Sequence, residues 1–124
     1  MKILSPRAHG YVDFLVVIGF IGGPAVFEFE GLPKTIAFAL AVVHLLLTTT
    51  TNFPMGLVKL VPFPLHGLLE FAVSIVLFAL PWLAGFSGDA MARNFYVGAG
   101  ASVLLAFLIT DYTGGRAPSS RRSA

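Results

Sequence analysis

His9-Gly10-x-x-Asp13 and His66-Gly67-x-x-Glu70 are the places in this chain where residue type and spacing suggest chemistry. In each, an imidazole precedes a carboxylate by four residues. On a helix that spacing puts both side chains on one face, about 5–6 Å apart at Cβ. The imidazole can donate to the carboxylate and share a proton with it. Two readings follow. Either the two pairs build a proton relay or ion site, or they are helix-start chemistry, in which an acid favours the positive end of the helix. His44 is a third imidazole with no acid four residues away. It reads as an interhelical hydrogen bonder toward Ser74, Ser102 or a threonine. The sharper alternative joins it to His9 or His66 as a ligand inside a helical bundle. Thr48 to Thr51 form a hydroxyl run, and Asp111 follows Thr110 near the other end of the chain. Such hydroxyls bond back to the carbonyl four residues earlier, or they line a polar vestibule with His44 and Asp111.

The elements that hold these groups belong in a bilayer. Hydrophobic residues make up 56% of the 124 and charged ones 11%, where a soluble domain carries about 25% charged. Residues 14–27, 35–58, 71–88 and 94–110 contain no Asp, Glu, Lys or Arg. A hydrocarbon core of roughly 30 Å needs about 20 mostly apolar residues. Spans are expected near 10–28, 33–52, 65–85 and 93–111, the first and third each carrying one acid. Met1 to about Ala25 reads as a retained first helix, because Asp13 interrupts the apolar run of a would-be signal peptide. The fold class is therefore all-α, a polytopic four-helix membrane bundle forming one domain over 1–115. The Gly, Pro, Ser and Arg composition of 116–124 reads as a disordered basic tail near anionic lipid.

Orientation follows from the basic residues. Lys2, Arg7, Lys59, Arg116, Arg121 and Arg122 fall at the termini and in the second loop, and only Lys34 and Arg93 fall in the other two. That asymmetry puts both termini in the cytoplasm. Trp82 and Tyr96 are expected as outer interfacial anchors, and Tyr11, Phe53, Phe63 and Tyr112 as inner ones.

The chain also reads as two copies of one pattern. Position 66 follows 9 by 57 residues, and the same step carries Pro24 to Pro81 and Phe29 to Phe86. Thr51-Asn52-Phe53 matches Thr110-Asp111-Tyr112 at a step of 59. Each half, about 9–56 and 66–115, is a helical hairpin that returns to its starting side. The two halves thus share one orientation, and both His–acid pairs lie at one depth near the cytoplasmic face. With Leu80-Pro81-Trp82 ahead of Gly85-Phe86, these residues resemble the SPW-repeat integral membrane proteins, over roughly 9 to 115. Leu80-Pro81-Trp82 stands where the family has Ser-Pro-Trp, and Gly23-Pro24-Ala25 is its counterpart in the first half. The resemblance implies a bacterial membrane protein of this repeat type and supplies no reaction.

Pro24 and Pro81 are expected to end or kink their helices. Gly19-x-x-x-Gly23 and Gly98-x-x-x-Ser102 offer small-residue seams for packing inside the bundle or for a dimer, and the expected partners are the bilayer and either a second copy or another membrane protein. There is no cysteine, so thiol and Fe–S chemistry are excluded. No His-x-x-x-His or Glu-x-x-His spacing occurs, so no metal or cofactor is expected. No nucleophile–base arrangement is present, which argues against an enzyme. The net charge of +2 is small and terminal, as for membrane orientation rather than nucleic acid. A non-enzymatic structural or accessory role is the leading expectation. A small proton-coupled transporter using Asp13 and Glu70 is the alternative, and a haem- or metal-binding protein is a third.

Overall fold

The computed structural model describes residues 2–113. The tail expected over 116–124, with Arg116, Arg121 and Arg122, lies outside the described residues. Four helices account for most of the rest: α1 Pro6–Val26, α2 Leu32–Thr49, α3 Phe63–Leu83 and α4 Ala90–Ile109. Each is long and apolar enough to cross a membrane. The chain is a four-helix all-α protein, and α1 packs chiefly on α2 and α3 on α4.

The helix ends explain why the spans start earlier than apolar runs alone suggest. Proline opens α1, α2 and α3 at the first or second position, where its missing N–H has no intrahelical partner to lose. Ser5 and Asp89 cap α1 and α4 by accepting from the amides of Ala8 and Ala92. At the far end Pro24 and Pro81 remain inside their helices, each two residues from the end. Their carbonyls accept the amides of Phe29 and Phe86, five residues on. That bond needs a left-handed residue between, supplied by Glu28 (φ 54°) and Gly85 (φ 81°). This six-to-one closure tucks Phe29 and Phe86 into the core.

Burial is inverted relative to a soluble bundle. Leu15, Ile18, Val42, Leu46, Leu68 and Leu105 are exposed on the outer faces, while His9, Asp13, His66 and Glu70 are among the most buried side chains. An apolar surface of that extent belongs against lipid. The inner core, built around Val17, Phe20, Phe29, Leu77, Phe86 and Tyr96, fills the half of the bundle farther from the ionisable groups.

Two expectations about packing change. Gly19, Gly98 and Ser102 do not form internal seams. A Cβ at Gly19 or Gly98 would meet nothing within 4 Å, and Ser102 is exposed and bonds back to Gly98. All three line an apolar outer groove of about 610 Å³ between α1 and α4. The close approaches occur instead at Gly23, against the Phe95 ring, and at Gly100, against the α3 backbone. The register of α4 sets this: Gly100 shares the inward face with Tyr96 and Val103, and Gly98 does not. Tyr96 is likewise no interfacial anchor. It is fully buried and donates to the Pro33 carbonyl at 2.6 Å. Trp82 is exposed as an anchor requires.

Candidate functional site

The N-terminal turns of α1 and α3 and the C-terminal turns of α2 and α4 meet at one end of the bundle. Short pieces of extended chain tie that end together. Thr51–Asn52 pairs in parallel with Val61–Pro62, just ahead of α3. Leu4, just ahead of α1, forms the corresponding bridge with Thr110. The amide of Leu4 donates to the Ile109 carbonyl, and that of Val61 to the Thr50 carbonyl. Leu4 and Val61 therefore carry the first residues of α1 and α3 against the last residues of α4 and α2.

This places His9 and His66 in equivalent settings. His9 Nδ1 lies 2.7 Å from Thr110 Oγ1, and His66 Nδ1 lies 2.8 Å from Thr51 Oγ1. Each hydroxyl has a single proton, already directed at the carbonyl four residues earlier, in the preceding helix: Ala106 for Thr110 and Leu47 for Thr51. The hydroxyls must then accept, and both imidazoles donate through Nδ1. Their Nε2 atoms turn inward and approach to 3.4 Å.

Asp13 and Glu70 complete the group. His9 Nε2 is 3.1 Å from Asp13 Oδ1 and 3.1 Å from Glu70 Oε2. His66 Nε2 is 3.2 Å from Asp13 Oδ2 and 3.2 Å from Glu70 Oε1. The i,i+4 pairs expected from spacing are present, and each imidazole also meets the other helix's acid at the same range. Thr48 donates to Asp13 Oδ2 at 3.2 Å. One donor atom from each of His9, Asp13, His66 and Glu70 lies within 4.8 Å of all the others.

His44 joins this cluster rather than Ser74 or Ser102. Its Nε2 is 3.6 Å from Asp13 and 3.7 Å from Glu70. Ser74 is occupied with the Phe71 carbonyl. The reason is helical register: His44 and Thr48 lie four residues apart on one buried face of α2, and Thr51, two residues beyond its end, is buried as well. Thr49 and Thr50 lie off that face and bond back to Leu45 and Leu46, so the hydroxyl run divides between the two expectations. Asp111 is not brought into this set. Its carboxylate accepts the Thr113 amide and hydroxyl, and Thr110 beside it reaches the cluster instead. Thr110 was not among the candidate residues. Its match to Thr51 in the Thr-Asx-aromatic motif is the signal that would have found it.

Aromatic rings close the end of the site. Phe53 and Phe63 stack at 5.1 Å, and both ring edges and Tyr112 pack on His9 within 6.4 Å. Phe53 and Phe63, expected as interfacial anchors, are therefore buried as a floor under the imidazoles. The glycines of both His-Gly pairs make this possible. A Cβ on Gly10 would overlap Met55 and Phe53, and one on Gly67 would overlap the Tyr112 ring. Burial, and after it the negative charge of Glu70, push the Tyr112 phenol above its ordinary value, so it stays protonated.

Chemically, this is a water-poor chamber with two carboxylates, two inward imidazole nitrogens of defined tautomer and a third imidazole alongside. It can hold protons or a small cation. No protein-family model, curated protein or solved structure matches the chain.

Proposed function

We propose that this is a non-enzymatic integral membrane protein, structural or accessory in role, in which two copies of a helical hairpin are locked together by the buried His–acid cluster. The observation that carries the reading is the exchange of bonds between the halves. His9 of the first bonds Thr110 of the second, and His66 of the second bonds Thr51 of the first. The paired Pro–Phe closures and the paired extended bridges, at the same steps of 57 and 59 residues, support two copies in one orientation about an axis along the membrane normal. With Leu80-Pro81-Trp82, they also support kinship with the SPW-repeat proteins of bacterial plasma membranes. Lys2, Arg7 and Lys59 lie at the cluster end, whereas Glu28, Glu30 and Asp89 lie at the other with Lys34 and Arg93. The positive-inside rule then puts the cluster and both termini on the cytoplasmic side. Its partners are the bilayer and either a second copy or another membrane protein.

The rival reading is proton-coupled transport through Asp13 and Glu70. A transporter places its site near the midplane with a route to both sides, whereas past His44 the interior is the apolar packing around Phe20, Leu77 and Tyr96. The double variant Asp13→Asn, Glu70→Gln separates the two. On the structural reading it lowers the stability of the purified protein by several kcal/mol, since breaking a buried charge pair costs about 3–5 kcal/mol. Unchanged stability, together with loss of an acid-driven flux of cationic dye from reconstituted vesicles, would sink the structural reading and favour transport.

A further inference from the structure

The cluster has a feature that holding helices together does not require. Because Thr51 and Thr110 accept from Nδ1, the Nε2 atoms of His9 and His66 face each other and four carboxylate oxygens across 3.1–3.4 Å. With neutral imidazoles, every atom lining that space is an acceptor. The arrangement is stable only with positive charge among them. Two protons would neutralise two carboxylates, and so would one divalent cation.

His44 discriminates between these. Its Nε2 is buried, has no hydrogen-bond partner, and points at both carboxylates from beyond hydrogen-bonding distance. If protons on His9 and His66 filled the space, a third imidazole nitrogen would sit orphaned against it, at the cost of an unsatisfied buried polar atom. A cation there gives the His44 lone pair a partner. No counterpart to His44 exists in the other hairpin, where Val103 stands at the matching step of 59, so His44 is not explained by the pairing of the hairpins.

The dimensions fit one ion. Ligands about 2.0–2.2 Å from a tetrahedral centre stand roughly 3.3–3.6 Å from one another. The nitrogen–nitrogen distance here is 3.4 Å, and each nitrogen lies 3.1–3.2 Å from one oxygen of each carboxylate. One donor atom from each of the four residues lies within 4.8 Å of all the others, so a small inward shift of the carboxylates closes the set on an ion. The surroundings are those of a ligand set: His9 and His66 each have the other ring nitrogen fixed by a hydrogen bond, Asp13 also accepts from Thr48, and an aromatic floor excludes water. Imidazole with carboxylate selects divalent first-row transition ions over magnesium and calcium, and the lack of thiolate disfavours copper(I).

We propose that His9, Asp13, His66 and Glu70 form a mononuclear site for a divalent transition-metal ion, with His44 as a further ligand on its membrane-interior side. The site goes beyond the structural role above and can fail independently of it.

The test uses the full chain purified in detergent, stripped with chelator, and titrated with Co²⁺ followed by its visible spectrum, then with Zn²⁺ in competition. One ion per chain is expected, displaced by Zn²⁺ and not by excess Mg²⁺. Thr51→Val with Thr110→Val should weaken Co²⁺ binding roughly 10- to 100-fold, as loss of supporting hydrogen bonds does at metal sites. His44→Gln, which leaves the Thr-tethered imidazoles and both acids in place, should weaken binding and alter the Co²⁺ spectrum. Three outcomes overturn the site: a folded wild-type protein, by circular dichroism, that takes up no Co²⁺; uptake unchanged in folded Asp13→Asn, Glu70→Gln; or an unaltered spectrum and affinity in His44→Gln. A folded, metal-free wild type whose double variant is destabilised removes the metal and leaves the structural role standing.

Discussion

Thr110→Val tests whether the hydroxyl tethers organise the cluster. Valine keeps the β-branched shape and deletes one oxygen. In the folded protein that oxygen is the acceptor for His9 Nδ1 at 2.7 Å. Both residues are fully buried beneath Phe63 and Tyr112, so no water replaces the lost acceptor. A buried N–H left without a partner costs about 1–3 kcal/mol. Thr51→Val does the same to His66 and should cost as much. Thr49 and Thr50 serve as controls in the same run. Their hydroxyls return only to carbonyls three and four residues earlier, on Leu45, Leu46 and Leu47, so valine there should change stability by no more than about 0.5 kcal/mol. The two tethers hold imidazoles whose Nε2 atoms are 3.4 Å apart. The Thr51→Val, Thr110→Val double variant should therefore depart from additivity by at least about 0.5 kcal/mol. Reversible unfolding in mixed micelles, with far-ultraviolet circular dichroism as the probe, measures the wild type and all five variants. A Thr50→Val penalty equal to that of Thr51→Val, or a Thr110→Val penalty below about 0.5 kcal/mol, refutes the reasoning.

Other expectations follow from single backbone and packing features. Glu28 holds the left-handed conformation at the end of α1 that Gly85 holds at the end of α3. Relieving it in Glu28→Gly should raise stability by up to about 1 kcal/mol, and a lower unfolding midpoint would contradict that account of the helix end. Gly67→Ala drives a methyl into the Tyr112 ring and should cost about 1–3 kcal/mol. The cost should shrink in a Tyr112→Ala background, and an equal penalty in both backgrounds would show that the ring is not the obstacle. Gly98→Ala, on the open face of α4, should stabilise by a few tenths to about 1 kcal/mol through helix propensity, as measured by the same unfolding assay.

The helices and the membrane were legible because they depend on local composition. Charge-free runs of bilayer length, prolines at helix starts and small polar caps act within a few residues of themselves. The apolar runs place each helix start to within a few residues, and Ser5, Pro33, Pro64 and Asp89, which no apolar run registers, set the observed beginnings. The His–acid spacing was legible for the same reason, since four residues on one helix are neighbours whatever the rest of the chain does. The inward faces were not. Gly98 and Gly100 differ by two residues, about 200° around a helix of 3.6 residues per turn, and only the packing of α4 on α3 decides which is buried.

By itself, then, the sequence determined four membrane-length helices, their polar ends and two carboxylates each four residues from a histidine. The tertiary structure decided that these were one site and not two. His9 and His66 stand 57 residues apart, and His44 shows no ligand spacing to either. Motif spacing registers ligands carried on one helix and is blind to ligands delivered by several. The pairing of Leu4 with Thr110 and of Val61 with Thr51 brings the ends of all four helices together. In a low-dielectric interior, charged and polar groups brought that close must satisfy one another.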